Sequence, residues 1–163
     1  FDTVTPEQWD LAYQLTIKCT VDLIRAALPY LRQSERAAIL TITSISVKQP
    51  VANLILSNSV RMGVVGLTKS LAQELGPEGI RVNSILPGYT RTGRVEQLMQ
   101  ARAEKEASTV DAVITNSMAG VPLRRIGQPE EFGNVAVFLC SPAASYVTGA
   151  MVPVDGGWIQ ATV

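Results

Sequence analysis

Short, almost wholly apolar runs alternate with long helical patterns along this chain, and this alternation restricts the fold more than any other feature. The runs are residues 37–43, 80–86 and 150–154, and all three contain β-branched residues. An apolar run of this length is typical of a strand covered on both faces. Because helical stretches separate the strands, the connections must be crossovers. The sequence therefore predicts an α/β fold with a doubly wound parallel sheet.

Helix signals frame the predicted strands. Residues 5–8 (Thr-Pro-Glu-Gln) form a capping box with proline at the first helical position, which predicts a helix over 6–32. Apolar residues at the helical period predict a second long helix over 54–75, which a Gly-Pro pair ends. The remaining helices are predicted as two short ones within 94–118 and a longer one over 129–140.

Charge and residue usage exclude several classes of function. Fourteen basic residues balance fourteen acidic ones, so the chain has no electrostatic footprint for nucleic acid or an anionic membrane. A small-molecule ligand is the better expectation. The chain has no histidine, which excludes histidine-based nucleophilic catalysis and leaves no expected metal site. Cys19 and Cys140 lie in apolar helical patterns and are predicted to be buried thiols in a reducing cytoplasm.

The carboxyl ends of the predicted strands locate a candidate site. Open parallel sheets bind ligands in the crevice at these ends. Ser44 follows the first strand, and the Pro87-Gly88 turn follows the second. We expect these two segments to lie side by side at the site.

Five segments, in order along the chain, carry a resemblance to a known family. They are Thr43-Ser44, Gly66-Leu67-Thr68-Lys69-Ser70-Leu71-Ala72, Gly79-Ile80-Arg81-Val82-Asn83, Pro87-Gly88 with Thr92, and Val154-Asp155-Gly156-Gly157. Together they resemble the short-chain dehydrogenase/reductase family, most closely the branch of the 3-oxoacyl-acyl-carrier-protein reductases and glucose dehydrogenases. The resemblance implies a Rossmann-like fold, NAD or NADP as cofactor, and hydride transfer between the nicotinamide and a carbonyl or alcohol carbon.

The resemblance also implies that residues 1–163 form one domain, the nicotinamide and substrate side of the fold. In the family, an earlier strand, glycine-rich turn and helix hold the adenosine and pyrophosphate. Phe1 falls just after the family's fourth strand, so we expect the natural protein to be longer and to carry that part upstream. The residue that distinguishes NAD from NADP belongs there, and the choice between them stays open.

The family's catalytic positions are mostly altered in this chain. Ser44 matches the serine that orients the reacting oxygen. Ser57 stands at the tyrosine position, Arg61 at the lysine position and Thr16 at the asparagine position. A serine hydroxyl is a far weaker acid than a phenol near pKa 10. Arg61 can hydrogen-bond a cofactor ribose, but a guanidinium stays protonated and cannot relay protons. We expect cofactor binding to survive better than proton transfer.

The loop after the second strand supplies the other cofactor-binding candidates. Thr92 and the backbone of Thr90 match family positions that bind the nicotinamide carboxamide, and Pro87 and Gly88 form the turn that leads to them. The alternative for this loop is a simple strand exit. Tyr89 is the one tyrosine considered as a replacement acid, although an aromatic packing contact is the favoured interpretation.

The resemblance and the altered catalytic residues together leave three possible functions. The first is an oxidoreductase that acts on a small carbonyl or alcohol, with 3-oxoacyl compounds as a candidate class and with weakened or altered proton transfer. The second is a catalytically silent binding or structural subunit, which the changes at Thr16, Ser57 and Arg61 favour. The third, a halohydrin-dehalogenase-like lyase, is the least favoured because that branch keeps the tyrosine. In each case we expect a homodimer or homotetramer that pairs through the two long helices, where Gly63 and Gly66 allow close packing.

Overall fold

Three parallel strands form one sheet in the computed structural model, which describes residues 1–162. The strands are β1 (Ala38–Ile42), β2 (Arg81–Pro87) and β3 (Met151–Val154), in the spatial order β1-β2-β3. The register aligns Leu40 of β1 with Asn83 of β2. The central strand is almost completely buried, as its apolar sequence requires. The predicted parallel sheet is confirmed.

Helices cover both faces of the sheet. In residues 1–162 the α-helices are α1 (Pro6–Tyr13), α2 (Cys19–Leu31), α3 (Ile55–Leu75), α4 (Gly93–Lys105), α5 (Val110–Ser117) and α6 (Pro129–Cys140). Val82 packs with Ala72 and Leu75 of α3, whereas the guanidinium of its neighbour Arg81 donates to the Leu139 carbonyl in α6. Successive side chains of a strand point to opposite faces, so α3 and α6 lie on opposite sides. The doubly wound α/β fold class is confirmed.

The first helical region contains a π-helical turn that the sequence did not predict. Its capping box forms as predicted, since Thr5 accepts a hydrogen bond from the Gln8 amide. The helix then continues to Leu31 but includes a π-helical turn over Gln14–Lys18 between α1 and α2. This turn contacts α3, where a Cβ at Gly63 would overlap the end of the Ile17 side chain. The predicted helix over 6–32 is confirmed in extent.

Four buried hydroxyl groups pair within the layer between the sheet and α3. Thr41 Oγ1 lies 3.2 Å from Thr68 Oγ1, and Thr43 Oγ1 lies 2.9 Å from Ser84 Oγ. Each of these residues is less than 9% exposed. Buried hydroxyls are stabilising only when their hydrogen bonds are made, so the first pair ties β1 to α3 and the second ties the end of β1 to β2.

The prediction of buried thiols is wrong. Cys19 and Cys140 are both exposed. Cys19 is the first residue of α2, a helix in which only Ile24 is fully buried, and Cys140 is the last residue of α6. An apolar helical pattern does not specify which of its members face the core.

Among residues 1–162, no helix combines the length and the apolar character needed to cross a bilayer.

The contribution of Glu131, at the start of α6, to the stability of the fold is expected to depend on pH. Glu131 accepts two hydrogen bonds from the Arg125 guanidinium and one from the Gln128 amide, and these partners lower the pKa of its carboxyl from 4.5 to about 2. Because the folded pKa is depressed, the resulting stability is present above the ordinary pKa and lost as the pH falls through the lowered one. We expect the stability difference between wild type and Glu131→Gln to shrink as the pH falls from about 4.5 towards 2. Thermal unfolding across this range measures the difference.

The control for this prediction is Glu130→Gln. Glu130 also lies in the first turn of α6, but it forms no ion pair within residues 1–162. A pH-dependent loss as large for Glu130→Gln as for Glu131→Gln would contradict the assignment, because it would come from the helix dipole that both carboxylates share.

Candidate active site

The site begins where β1 ends. Thr43 continues the strand, since its amide donates to the Ile85 carbonyl over 3.0 Å. Ser44 then caps a short 3₁₀ turn over Ile45–Val47, and its Oγ accepts a hydrogen bond of 3.1 Å from the Ser46 amide. Ser44 therefore sits at the carboxyl end of β1, beside the end of β2, as predicted.

Ser57 and Arg61 lie one turn apart at the start of α3 and contact each other. Arg61 Nε donates to Ser57 Oγ over 3.1 Å, and Arg61 Nη1 donates to the Thr43 carbonyl over 3.2 Å. This second bond ties α3 to the end of β1. The structure thus brings Ser57 and Arg61 to the strand end that carries Ser44.

Ser46 belongs to the same group and was missed in the sequence. Its side chain is 3% exposed, and its Oγ lies 3.3 Å from Ser57 Oγ. Among the described residues, Ser46 and not Ser44 is the serine whose hydroxyl is hydrogen-bonded to Ser57. The only available signal was the clustering of hydroxyl residues after β1, which does not tell which of them turns towards α3.

The charge of Arg61 is only half solvated. Burial lowers the pKa of its guanidinium, although arginine remains protonated at any ordinary pH. Within residues 1–162 no carboxylate pairs with it, and its Nη2 makes no hydrogen bond. A half-buried cation with a free donor edge is suited to an oxygen-rich ligand.

Thr16 shares a cleft with Arg61. The cleft has a volume of about 310 Å³ and runs between the π-helical turn and β1, whose outer edge pairs with no strand among the described residues. The Thr16 carbonyl accepts a short hydrogen bond of 2.6 Å from Thr20 Oγ1. Thr16 is therefore near the site, as predicted, but it makes no hydrogen bond to Ser57 or Arg61.

The exit of β2 forms a second, neighbouring part of the site. The Gly88 amide donates to the Val154 carbonyl over 3.0 Å, which holds the turn after Pro87 against β3. Thr90 forms an isolated bridge with Gly127, and Thr92 caps α4. In residues 1–162 neither threonine side chain forms a hydrogen bond with Arg61. Thr90 and Thr92 therefore belong to the loop that follows β2, and the structure does not link them directly to Arg61.

Tyr89 packs against another aromatic ring. Its ring stacks on Trp158 with centroids 4.8 Å apart and planes inclined by 14°. No hydrogen bond within the described residues joins Tyr89 to Ser57 or Arg61. The contact agrees with the aromatic packing interpretation of Tyr89.

Comparison with known proteins identifies the family. A family profile described as "Enoyl-(Acyl carrier protein) reductase" matches residues 1–159. The chain belongs to the short-chain dehydrogenase/reductase family. It is 35% identical over 153 residues to dehydrogenase/reductase SDR family member 4 of Sus scrofa, covering 94% of this chain and 52% of that protein. This short-chain dehydrogenase/reductase chain spans about half the length of the curated relatives that it matches.

Two solved structures that are similar to this short-chain dehydrogenase/reductase chain contain NADPH. L-sorbose reductase of Gluconobacter frateurii, complexed with NADPH and L-sorbose, superimposes with a TM-score of 0.94 at 28% identity, over 99% of this chain and 62% of that one. An NADPH-bound short-chain oxidoreductase of Pseudomonas aeruginosa PAO1 has a TM-score of 0.88 at 31% identity, over 99% of this chain and 61% of that one. It is described as containing an atypical catalytic center.

The hydrogen-bonded group of this family member contains hydroxyls and a guanidinium but no phenol. Ser46, Ser57 and Arg61 form its side chains, and within residues 1–162 no tyrosine bonds to any of them. Such a group can donate hydrogen bonds to a substrate or cofactor oxygen. It lacks a side chain whose pKa suits proton transfer near neutral pH.

Proposed function

We propose that this chain is the nicotinamide and substrate side of an NAD(P)-dependent oxidoreductase that acts on a small carbonyl or alcohol with altered proton transfer. The observation that carries the proposal is the Arg61 guanidinium, held between Ser57 and the Thr43 carbonyl at the end of β1. The NADPH in the two related structures supports it. The choice between NAD and NADP, the homodimer or homotetramer, and the cytoplasmic location stay predictions.

The donor set fits a nicotinamide nucleotide. The free Nη2 edge of Arg61 can donate to a ribose hydroxyl, and no carboxylate in the described residues competes for it. The backbone after Pro87 and Gly88, together with Thr90 and Thr92, would hold the carboxamide end. When bound, the nicotinamide supplies or accepts the hydride.

The chain's own residues divide the remaining tasks. Arg61 binds and orients but keeps its protons, because a guanidinium does not deprotonate in proteins. Ser44 and Ser57 donate hydrogen bonds to the reacting oxygen, and buried Ser46 positions the Ser57 hydroxyl from 3.3 Å. The proton that a phenol gives in the family must come from a weaker donor, such as water held by these hydroxyls.

A catalytically silent subunit is the second candidate. It is favoured by the internal bonding of Ser57, whose hydroxyl is already engaged by Ser46 and Arg61. A serine whose hydroxyl is already hydrogen-bonded within the protein can have a purely structural role. Binding of cofactor without turnover would distinguish this candidate from the oxidoreductase.

We expect the full-length protein to reduce ketones about 10²- to 10⁴-fold more slowly than tyrosine-bearing relatives, which is the typical worth of general acid catalysis. Steady-state oxidation of NADH and NADPH with small ketones and 3-oxoacyl thioesters measures the rate. Turnover as fast as that of such relatives would contradict the altered proton transfer. Tyr89→Phe would then show whether Tyr89 supplies the acid, despite its stacking on Trp158.

A further inference from the structure

A second cavity adjoins the candidate site on the side of the 3₁₀ turn. It has a volume of about 290 Å³, and its walls include Ile45, Val51, Tyr89 and Trp158. Ile45 stands between Ser44, which begins the turn, and Ser46, which contacts Ser57. The cavity is therefore lined by the residue that separates the two serines Ser44 and Ser46 in the sequence.

One wall of the cavity is fixed by a clamp from α3. The Asn58 side chain accepts a hydrogen bond of 3.2 Å from the Val51 amide and donates one of 2.9 Å to the Val51 carbonyl. Asn58 is the neighbour of Ser57, so the loop that carries Val51 is held in register with the site. A wall held at both main-chain groups is formed before any ligand arrives.

The opposite wall is an aromatic pair presented by a tight turn. The Asp155 carboxylate accepts hydrogen bonds from the Gly157 amide at 2.9 Å and the Ile159 amide at 2.8 Å. Gly157 has a φ of 85°, which a residue with a side chain adopts only with strain. This turn places Trp158 between the two bonded amides, where its ring stacks on Tyr89.

The lining of the cavity is uncharged. Of its lining side chains, those of Gln49, Tyr89 and Trp158 carry a polar group and none carries a charge. Moving a carboxylate or a phosphate into such surroundings is unfavourable, because no cation compensates its lost hydration. Rings, by contrast, gain from contact with aromatic walls. The volume of about 290 Å³ lies just below the range of about 300–1,000 Å³ for ligand pockets, which suits one ring better than a long chain.

We propose that this cavity binds the non-reacting part of the substrate, that this part is an uncharged ring, and that Trp158 is its specificity-determining residue. The inference rests on the proposed oxidoreductase function, because the ketone or alcohol group would then lie at Ser44 and Ser57.

Three ketoesters test the inference in the full-length protein. Ethyl benzoylacetate has an uncharged ring, ethyl acetoacetate lacks the ring, and ethyl (4-carboxybenzoyl)acetate carries a carboxylate on the ring. Binding is followed through indole fluorescence, and turnover with NADPH is measured in parallel. We expect ethyl benzoylacetate to bind about 3- to 10-fold more tightly than ethyl acetoacetate. We expect it to bind at least about 10-fold more tightly than ethyl (4-carboxybenzoyl)acetate, whose carboxylate would have to enter the uncharged cavity.

Variants assign the effect to the cavity. Trp158→Ala should remove the preference for the ring, so that ethyl benzoylacetate and ethyl acetoacetate bind about equally. Trp158→Phe should keep the preference in turnover but lose the fluorescence response. Trp9→Phe, a change in α1 of the only other tryptophan in the sequence, should keep both.

The outcomes separate this inference from the proposed function. If NADPH binds and ketones turn over, but ethyl (4-carboxybenzoyl)acetate or ethyl acetoacetate is preferred, the inference is overturned and the function stands. If neither cofactor binding nor turnover occurs, yet ethyl benzoylacetate changes the fluorescence in wild type and not in Trp158→Ala, the cavity stands and the function fails. A fluorescence response that persists unchanged in Trp158→Ala places the ligand elsewhere and overturns the inference.

Discussion

Replacing Ser57 by tyrosine and Arg61 by lysine together is expected to raise ketone reduction by the full-length protein at least about tenfold, part of the 10²- to 10⁴-fold worth of a general acid. The two positions already face each other, since Arg61 Nε lies 3.1 Å from Ser57 Oγ. A phenol and an ammonium there would recreate a titratable pair. The rate should be recovered only in part. Thr16 has no amide side chain, and buried Ser46 would have to move to make room for the tyrosine ring. Steady-state NADPH oxidation measures the gain.

Two matched variants isolate the phenol in this prediction. Ser57→Phe with Arg61→Lys supplies the ring and the lysine but no hydroxyl, and it should recover nothing. Arg61→Lys alone should also leave the rate low, because Ser57 remains a poor acid. Equal recovery by the phenylalanine variant would mean that the gain comes from packing and not from proton transfer.

Replacing Gly88 by alanine is expected to destabilise the fold by roughly 1–3 kcal/mol or more, as overpacking does. A Cβ at Gly88 would lie 2.7 Å from Asp155 Cα and 2.8 Å from Asp155 Cβ. Asp155 cannot move aside easily, because its carboxylate accepts two amide hydrogen bonds and the Gly88 amide is itself bound to Val154. Denaturant unfolding of the full-length protein measures the change in free energy.

Gly93→Ala is the control for Gly88→Ala. Gly93 is the first residue of α4, and a Cβ there would meet no atom within 4 Å. Its substitution should change the free energy of unfolding by no more than about 0.5 kcal/mol. Equal stability of the two variants would show that the β2 exit tolerates a side chain, contrary to the close contact with Asp155.

The sheet and the long helices could be predicted because their signals are local. The apolar run at 80–86 and the helical period at 54–75 each lie within one element, and the capping box at 5–8 specifies a helix start with four residues. The strand ends then locate the site, because parallel strands carry their ligand crevice at one edge. Ser44 was found at a predicted strand end, Ser57 and Arg61 were found through the resemblance, and the structure brings the three to one place.

The remaining features depend on contacts that no local pattern encodes. The π-helical turn over Gln14–Lys18 changes one hydrogen-bond step within a continuous helix, and its sequence resembles any helical segment. Tyr89 and Trp158 stack although they lie far apart in the chain, and Ser46 reaches Ser57 only because of how the 3₁₀ turn folds. Cys19 and Cys140 were assigned to the core because the pattern does not say which face of each helix is covered.

Titration of the full-length protein with NADPH, followed through nicotinamide fluorescence, tests the central claim most directly. We expect saturable binding by the wild type and binding weaker by about 10- to 100-fold in Arg61→Met, since hydrogen bonds to a charged group contribute about 1.5–3 kcal/mol. Arg36→Met, which removes an exposed arginine before β1, should bind as the wild type does. A folded wild-type protein that does not bind NADPH or NADH, or an Arg61→Met variant that binds as tightly as the wild type, would contradict it.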